Sequence, residues 1–248
     1  MTRHRIACLS PDPRSAFPNP ESVTHPDGLL AWGGDLQPQR LLNAYRQGIF
    51  PWYEKPPILW WSPVPRAVLL PGHFHVSRSL RRTLRRSRFE FAMDKDFSGV
   101  MAGCAEPREE QTGTWINPDL IDAFTALHRM GHAHSLEVRE DGKLIGGVYG
   151  LAMGKVFFAE SKFHRRTDAS KAALLALMSA LQAWDFLLVD CQIWNPHLER
   201  LGVRLLDGRQ FRAVLQEGAA REDLVGVWQQ RFDSLKLSAR DLAHVTVE

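Results

Sequence analysis

The sequence predicts an α+β protein, with a small irregular N-terminal domain, residues 1–65, and a larger domain, residues 66–248, that holds a mixed sheet flanked by helices. Three observations predict this class. The chain is rich in Pro, Gly and Trp as far as Pro65. Beyond that point, short strand-like segments alternate with helical patterns. A helix, three strand candidates, a long helix and a further strand then follow one another, which indicates a mixed sheet.

One clear helix is predicted in the first domain. Pro38 suits the first turn of a helix, and Gly48 offers the left-handed residue that ends one. Leu41, Leu42 and Tyr45 form an apolar face between them. The segments 50–53 and 60–63 are interpreted as ordered loop, because Pro and Trp dominate them.

The larger domain begins with short elements and then a well-marked helix. We predict a strand over 67–70, a basic helix over 79–86, a half-buried strand over 89–93 and a short helix over 97–104. Asn117 is a capping amide, Pro118 fits the first helical position, and Asp119 lies near the positive end of the helix dipole. The helix that starts there ends at Gly131.

Strands and the longest helix follow. The strand candidates are 135–139, 144–151, 156–160 and 187–191, with Asp141-Gly142 as a hairpin turn after the first. The segment 170–184 is predicted to be helical because Leu174, Leu177, Met178 and Leu181 recur at i, i+3, i+4 and i+7. Residues 219–248 show only one amphipathic segment, near 224–232.

Composition excludes several classes of site. Cys8, Cys104 and Cys191 are too few and too widely spaced for a disulfide framework or a zinc motif. No signal-peptide core or membrane-spanning run is present, so we expect a cytoplasmic protein without membrane contact.

Metal and covalent chemistry are likewise not expected. Gly131 interrupts the helix that could pair His128 with His132, and the companion carboxylate of a zinc motif is missing. Neither a metal nor another cofactor is therefore predicted. Ser161, Ser170 and Cys191 lack the sequence context of activated nucleophiles.

Charge is concentrated in one segment. The net charge of +3 is small, yet six arginines and no acid lie between positions 78 and 88. Arg78, Arg81, Arg82 and Arg85 share one side of the predicted helix. Such a stripe suits RNA phosphates, although a solvated basic face would look the same.

Aromatic residues cluster in the predicted loops. Trp60 and Trp61 are interpreted as core between the two domains, since tryptophan buries a large area. Trp52 and Trp115 each lie beside Gly or Pro, where an indole can stack on an unpaired base or simply join the core.

Polar residues stand at the ends of two apolar strands. Glu160 follows one of them, and Asp190 and Gln192 flank Cys191 at the end of the other. If the strand persists, Asp190 and Gln192 point the same way, because side chains alternate along a strand. The cluster can serve catalysis or form a satisfied hydrogen-bond network.

A series of longer motifs resembles a known family over nearly the whole chain. The segments that carry the resemblance are GLLAWGGDL from Gly28, AYRQGIFPW from Ala44, LWWSPVPR from Leu59, GTWI from Gly113, GHAHS from Gly131, GGVYG from Gly146, ASK from Ala169 and VDCQ from Val189. In these motifs the chain is similar to the leucyl/phenylalanyl-tRNA-protein transferases.

The resemblance implies a fold and a reaction. It implies a small N-terminal domain on a domain of the acetyltransferase-like (GNAT) type, which uses the 3′ end of aminoacyl-tRNA where other members use coenzyme A. Leu or Phe, and less readily Met, would move to the amino terminus of proteins that begin with Arg or Lys, and would mark those proteins for degradation. A monomer is expected.

The resemblance also implies roles for individual residues. Trp52 and Trp115 would stack on the terminal adenosine, and the stripe of Arg78, Arg81, Arg82 and Arg85 would hold the acceptor stem. Glu160, Asp190 and Gln192 match the polar residues at the reacting centre. The aminoacyl pocket would be lined by Val148, Phe157, Leu174, Leu177, Leu181 and Val189.

Two positions depart from the family pattern. Lys162 replaces an apolar residue, and Phe124 stands where a tyrosine is usual, so the size and polarity of the aminoacyl pocket differ from the common form.

Aminolysis of an activated ester needs no strong base, because about a tenth of α-amino groups are neutral near pH 7. Our hypothesis is that Gln192, oriented by Asp190, accepts a hydrogen bond from the attacking amine, while Glu160 attracts the cationic acceptor. Proton transfer through the tRNA ribose hydroxyl is the alternative within this scheme.

Two functions of other classes share these features. A coenzyme-A-dependent N-acetyltransferase would share the fold, but residues 163–170 lack the glycines that wrap a pyrophosphate. A non-catalytic RNA-binding module would explain the arginines and tryptophans, but not an apolar pocket beside Glu160 and Gln192.

Overall fold

The fold contains two sheets that lie in different parts of the chain. A computed structural model describes residues 6–12, 14–23, 25–107 and 114–245. Gly113, the first residue of one of the motifs, lies outside the described residues. Within them, the first sheet is small and belongs to the N-terminal part. Its strands are β1 (Ala7–Leu9), β2 (Leu29–Gly33), β3 (Phe50–Pro51) and β4 (Leu59–Trp61), in the order β1-β2-β4-β3.

The small sheet corrects the expectation of an irregular first domain. Strand β4 pairs with β2 on one side and with β3 on the other, so part of both segments interpreted as loop is paired strand. These strands are two to five residues long and rich in Pro and Trp. They are too short to show the alternation by which a strand is recognised in a sequence.

Helix α1 (Pro38–Tyr45) follows β2 and confirms the predicted helix. Gly48 has a φ of 71°, the left-handed conformation that ends the helix as expected. Most side chains of α1 are buried, including Arg40, whose guanidinium donates to the backbone oxygens of Ser10 and Asp12.

The second sheet has seven strands and forms the body of the protein. In the order β11-β5-β10-β9-β8-β7-β6, one pair, β10 with β9, is parallel and the others are antiparallel. The α+β class and the mixed sheet are therefore confirmed. The strands are β5 (Arg66–Leu69), β6 (Glu90–Met93), β7 (Ala133–Glu140), β8 (Lys143–Met153), β9 (Val156–His164), β10 (Leu188–Gln192) and β11 (Arg204–Leu206).

Helices cover both faces of the large sheet. On one face lie α2 (Arg78–Arg86), α5 (Ala169–Ala183), α8 (Gln229–Asp233) and α9 (Ala239–Leu242). The other face carries α1, α3 (Phe97–Ala105), α4 (Pro118–Arg129) and α7 (Gly208–Ala219), while α6 (Pro196–Glu199) follows β10. This second face shares one apolar core with the small sheet, so the two sheets are joined by packing. The chain passes from one sheet to the other between Trp61 and Arg66.

The helix ends confirm the capping predictions. The side chain of Asn117 accepts from the backbone N–H of Leu120 at 3.1 Å, and Gly131 follows α4 with a φ of 79°. Asp141 and Gly142 both have positive φ, as the predicted hairpin turn between β7 and β8 requires. Strand β9 is longer than predicted and runs on to His164.

The C-terminal segment, for which the sequence predicts only one amphipathic stretch, packs on the large sheet. Trp228 is 1% exposed, and its ring stacks on that of His134 at 3.6 Å. Asp94 holds both residues, because it accepts from the Trp228 backbone N–H at 2.8 Å and lies 2.8 Å from His134 Nδ1. None of the helices in the described ranges is both long enough and apolar enough to cross a bilayer.

Candidate functional site

A cavity of about 1040 Å³ opens at one edge of the β9–β10 pair. Its lining comes from both sheets, from α5 and from the segment after β10. The lining includes Phe50, Trp52, Glu54, Glu106, Trp115, Val148, Glu160, Lys162, His164, Asp168, Lys171, Leu174, Cys191, Gln192 and His197. The sequence predictions for the adenosine site and for the reacting centre therefore meet in one hollow.

The cavity exists because two neighbouring strands part. The parallel pairing of β9 with β10 stops at Phe158 and Asp190, although β9 continues beside β8 for several residues. Beyond that point the backbones of the two strands are no longer paired, and their polar side chains meet at the cavity. This explains why Glu160 and Gln192 lie at the cavity rather than inside a continuous sheet.

β-Bulges turn the strand-end side chains toward the cavity. On β9 the register with β8 skips Glu160, and on β10 the register with β5 skips Cys191. A bulge bends its strand and redirects a side chain. Gly150 lies opposite the first bulge, where a Cβ would come within 2.1 Å of the Phe158 carbonyl oxygen, so only glycine fits. At the second bulge, Gln192 has a φ of 63°.

Glu160 is a buried carboxyl at the cavity wall, 8% exposed. Its Oε1 accepts from the hydroxyl of Tyr45 at 2.8 Å and from Nε2 of Gln192 at 2.8 Å. Burial raises the pKa of Glu160 to about 8, and nearby Asp190 also raises it, against the opposing effects of Tyr45, Arg66 and Gln192. Near neutral pH this carboxyl is therefore mostly protonated and uncharged.

Asp190, which the resemblance implies at the reacting centre, lies behind the cavity lining. It is fully buried and forms a bidentate ion pair with Arg66, whose Nε lies 2.9 Å from Oδ1 and whose Nη2 lies 2.8 Å from Oδ2. The guanidinium is held between the rings of Phe50 and Phe211, with its carbon 4.9 Å and 4.7 Å from their centroids. Asp190 does not line the cavity, but it is hydrogen-bonded to a residue that does.

Gln192 is bonded to Asp190 through its backbone and to Glu160 through its side chain. The Gln192 backbone N–H donates to Asp190 Oδ1 at 2.7 Å, which fixes the residue in its left-handed conformation. Because its Nε2 donates to Glu160, its amide oxygen is directed away from that carboxyl. The expectation that Asp190 and Gln192 point the same way is wrong, since the bulge at Cys191 breaks the alternation between them.

The two predicted stacking residues line the same cavity. Trp52 is 40% exposed, and Trp115 is half-buried. Trp61 supports Trp52 from behind, with ring centroids 5.6 Å apart and its Nε1 donating to the Trp52 carbonyl oxygen at 2.7 Å. Trp60 is fully buried, as the core interpretation required.

The six predicted pocket residues divide into two groups. Val148 and Leu174 line the cavity. The other four are buried in the core between the sheet and α5 and are not part of the lining: Phe157, Leu177, Leu181 and Val189. The i, i+3, i+4 spacing identifies the face of α5 that packs on the sheet. This face is longer than the cavity, so most of its residues belong to the core.

The two departures from the family pattern lie in different environments. Lys162 lines the cavity. Phe124 is fully buried behind it, in edge contact with the rings of Tyr45 and Tyr149 at 6.5 Å and 5.4 Å. Phe124 is therefore part of the core and not of the cavity lining.

The arginine stripe lies on α2, and its members differ. Arg78, Arg82 and Arg85 are exposed. Arg81 is half-buried and donates from its two Nη atoms to the carbonyl oxygens of Ala243 and Val245, each at 2.8 Å. Arg81 thus holds the C-terminal segment against α2.

Sequence reasoning missed the side-chain partners of Glu160 and Asp190, which are Tyr45 and Arg66. The spacing places Tyr45 on an apolar helix face. Hydrophobic periodicity does not indicate that the hydroxyl of such a residue has a hydrogen-bond partner. Arg66 begins a strand inside one of the quoted motifs, and its burial beside Asp190 follows only from the pairing of β5 with β10.

The remaining candidates match a structural role. Burial raises the pKa of Cys191 to about 12, which keeps the thiol protonated. Among the described residues no group of three His, Cys, Asp or Glu side chains is arranged to hold a metal ion.

Comparison with protein families gives two adjoining matches. Residues 68–216 match the model described as "Leucyl/phenylalanyl-tRNA protein transferase", and residues 34–64 match "Leucyl/phenylalanyl-tRNA protein transferase N-terminal domain". Together they include the small-sheet residues from α1 onward and most of the large sheet.

Curated relatives agree. A leucyl/phenylalanyl-tRNA–protein transferase of Shewanella baltica (strain OS155) is 54% identical over 204 residues, which is 82% of this chain and 86% of the relative. One of Alkalilimnicola ehrlichii is 49% identical over 239 residues, 95% of this chain and 90% of the relative.

Among solved structures, a GCN5-related N-acetyltransferase from Kribbella flavida matches with a TM-score of 0.37 and 14% identity, covering 65% of this chain and 58% of that one. The structure of L-PGS from Bacillus licheniformis matches with a TM-score of 0.39 and 9% identity, covering 63% and 65%.

Proposed function

The chain belongs to the leucyl/phenylalanyl-tRNA protein transferase family, and from this premise we propose how its cavity performs the transfer. As a member of that family it is an aminoacyltransferase that adds an amino acid to the amino terminus of a protein, with aminoacyl-tRNA as the donor. The observation that carries the proposal is the common cavity of Trp52, Trp115, Glu160 and Gln192.

The donor's 3′ end occupies this cavity in our proposal. The terminal adenine stacks on the indoles of Trp52 and Trp115, a contact worth about 1–3 kcal/mol per base. The aminoacyl side chain lies toward Val148 and Leu174, which supply the apolar part of the lining. The core residues behind them, Phe157 among them, fix the depth of the hollow rather than touching the substrate.

Gln192 holds the attacking amine. Its amide oxygen accepts a hydrogen bond from the neutral amine while its Nε2 remains bound to Glu160, so the nucleophile is aimed at the ester carbonyl. Positioning of this kind supplies up to about 7–11 kcal/mol of the barrier. Asp190 is a positioning residue, since it holds the Gln192 backbone and takes its own orientation from Arg66.

Glu160 acts chiefly as an uncharged partner in this scheme. With a pKa of about 8 it carries little charge near neutral pH, so attraction of a cationic acceptor by its charge grows only as the pH rises toward that value. The neutral acid orients the Gln192 amide, as a buried carboxyl can when its pKa is raised. Attack by the amine forms the new amide bond and breaks the ester bond, and the proton lost by the amine ends on the ribose oxygen of the released tRNA. Replacing the ribose 2′-hydroxyl of the donor tests whether that group relays this proton.

The finer substrate assignments are proposals as well. Leu and Phe are the preferred groups, Met is transferred less well, and acceptors begin with Arg or Lys. Transfer marks these acceptors for N-degron degradation in the cytoplasm, and the enzyme works as a monomer. Carboxylates at the cavity, among them exposed Glu54, give an acceptor's cationic side chain a favourable setting.

We also propose the boundary between the two domains at residue 65. Support comes from the end of β4 at Trp61 and the start of β5 at Arg66 in the other sheet. The site then spans the boundary, with Trp52 on one side and Trp115 on the other.

The test is transfer of labelled leucine from Leu-tRNA to an Arg-initiated peptide. We expect label in that peptide and none in its N-acetylated form, because the attacking amine is then blocked. Acetylation of the same peptide with acetyl-coenzyme A, without leucine transfer, would instead support an acetyltransferase. Binding of tRNA without any transfer would support an RNA-binding module.

A further inference from the structure

One wall of the cavity is built from basic side chains that the mechanism above does not use. We call the set Lys162, His164, Lys171 and His197 the basic wall. Lys162 and His164 come from the outer end of β9, Lys171 from the first turn of α5, and His197 from α6. Three separate elements therefore contribute basic groups to the same side of one hollow.

The other members of the basic wall lie close enough to His197 to act on its pKa. The pKa of His197 is lowered first by burial and then by Lys162, Lys171, Arg200 and His164. These neighbours create a positive potential at an imidazole that is itself exposed. An anion bound there would favour the protonated imidazole and would therefore raise the pKa of His197.

Acidic residues on this side of the cavity already have partners. Asp168 accepts from Lys171 Nζ at 2.8 Å and from the hydroxyl of Thr83 at 2.8 Å. Glu106 forms an ion pair with Arg165. Asp168 is thus paired with Lys171 of the basic wall and Glu106 with Arg165, and Lys162, His164 and His197 belong to the same lining.

The basic wall lies next to the arginine helix. Thr83, which bonds to Asp168, is on α2 between Arg82 and Arg85, and both arginines are exposed. A short relay from Thr83 through Asp168 to Lys171 thus connects the surface of α2 with the interior of the cavity. A nucleic-acid strand that leaves α2 toward Gln192 would pass along the wall.

We propose that the basic wall binds the phosphodiester groups that precede the terminal adenosine of the aminoacyl-tRNA. This inference rests on the proposed function, because it assumes that the aminoacyl ester lies at Gln192. The stripe on α2 contacts the acceptor stem, the basic wall contacts the single-stranded end, and the indoles contact the last base. Each region of the protein then binds a different part of one substrate.

Three donors separate these contacts: leucyl-adenosine, which has no phosphodiester, the leucyl-CCA trinucleotide, and complete Leu-tRNA. The variants are Lys162→Gln, His197→Gln and the double variant, each compared with Arg82→Gln/Arg85→Gln as the matched control on α2. Single-turnover transfer is measured as kcat/KM for every donor. Thermal unfolding confirms that each variant is folded.

In wild type, the trinucleotide should exceed the adenosine ester in kcat/KM. Each single wall variant should reduce this advantage, the ratio of the two kcat/KM values, about fivefold, the upper range for a partly exposed charge pair. A change in the shape of the pocket affects both donors and cancels in this ratio. The control on α2 should lower kcat/KM for the complete tRNA alone. Loss of one phosphate contact should also flatten the salt dependence for the trinucleotide by about 0.7 in log–log slope.

Binding without chemistry supplies an independent measurement. The CCA trinucleotide without an attached amino acid should raise the pKa of His197 in an NMR titration, whereas adenosine should not. Coenzyme A, whose diphosphate could use the same charges, is titrated in parallel. A response to coenzyme A and none to CCA would overturn the assignment.

The two proposals fail in different ways. If wild type transfers leucine from tRNA but the wall variants treat trinucleotide and adenosine esters as wild type does, the basic wall is not a phosphate site and the proposed function stands. If wild type transfers leucine from no donor, the proposed function itself is wrong. Equal losses with all three donors would show that the wall supports the cavity structurally, and would overturn the inference.

Discussion

Replacing Glu160 with glutamine tests the charge state on which the mechanism depends. Glutamine has the shape of the protonated carboxyl, and its Oε1 can still accept the bonds from Tyr45 and Gln192. The variant therefore keeps the hydrogen bonds of the centre and removes only its titration. We expect the stability of the wild type relative to Glu160→Gln to fall as the pH rises.

The magnitude follows from the pKa. Burial raises it from an ordinary 4.5 to about 8, and each pH unit of such a shift corresponds to about 1.4 kcal/mol. Below about pH 4.5 both the folded and the unfolded chain hold the proton. Between that pH and about 8 only the folded chain keeps it, so a rise in pH favours unfolding. The free energy of unfolding of the wild type should fall by about 5 kcal/mol relative to the variant across this window.

Urea unfolding of both proteins at a series of pH values measures this difference. A difference that stays constant across the window would refute the reasoning, because it would mean that Glu160 is ionised in the folded protein at the same pH as in the unfolded chain. A large difference between the m-values of the two proteins would show that the two-state comparison does not apply.

Two buried tyrosines provide a matched pair for the same assay. Tyr45 donates to Glu160 and thereby lowers its pKa, whereas the hydroxyl of equally buried Tyr149 has no hydrogen-bond partner among the described residues. Tyr45→Phe should therefore shift the end of the stability loss to higher pH. Tyr149→Phe should leave the pH dependence as in wild type. Equal shifts in both variants would mean that the hydrogen bond does not set the charge state.

The remaining predictions concern the neighbours of this carboxyl. Asp190→Asn should cost about 3–5 kcal/mol in urea unfolding, since it breaks a fully buried ion pair; lost transfer with unchanged stability would argue for direct catalysis instead. Gln192→Ala should slow single-turnover transfer about a hundredfold because the amine is no longer aimed, and an unchanged rate would remove its role. Trp52→Ala and Trp115→Ala should each weaken donor binding by about 1–3 kcal/mol, measured as KM. Trp32→Ala is their control, since Trp32 is as exposed as Trp52 but does not line the cavity.

The helices and long strands of the fold could be predicted because their signals are local. Asn117 caps α4 and Gly131 ends it, and both effects depend only on the chemistry of single residues. The leucines of α5 identify its buried face for the same reason. The small sheet was missed because its strands contain Pro51 and paired tryptophans, and they are stabilised by partners distant in sequence.

The composition of the cavity was predicted less well, and the reason is geometric. Periodicity indicates that Leu177 and Leu181 face the sheet, but it contains no information on where the sheet opens. The opening depends on the point at which β9 and β10 separate. That point is a property of strand pairing, so Val148 and Leu174 could not be distinguished from the core residues beside them.

The bulges explain why the polar residues at the strand ends are divided between the core and the cavity. With regular alternation, Asp190 and Gln192 would lie on one face and compete for the same partners. The bulge at Cys191 separates them, so that Asp190 turns into the core toward Arg66 and Gln192 turns into the cavity toward Glu160. The carboxylate of Asp190, paired with Arg66, then fixes the backbone of a residue that lines the cavity. For this reason the loss of Asp190 should be visible first as a loss of stability, whereas the loss of Gln192 should be visible as a loss of rate.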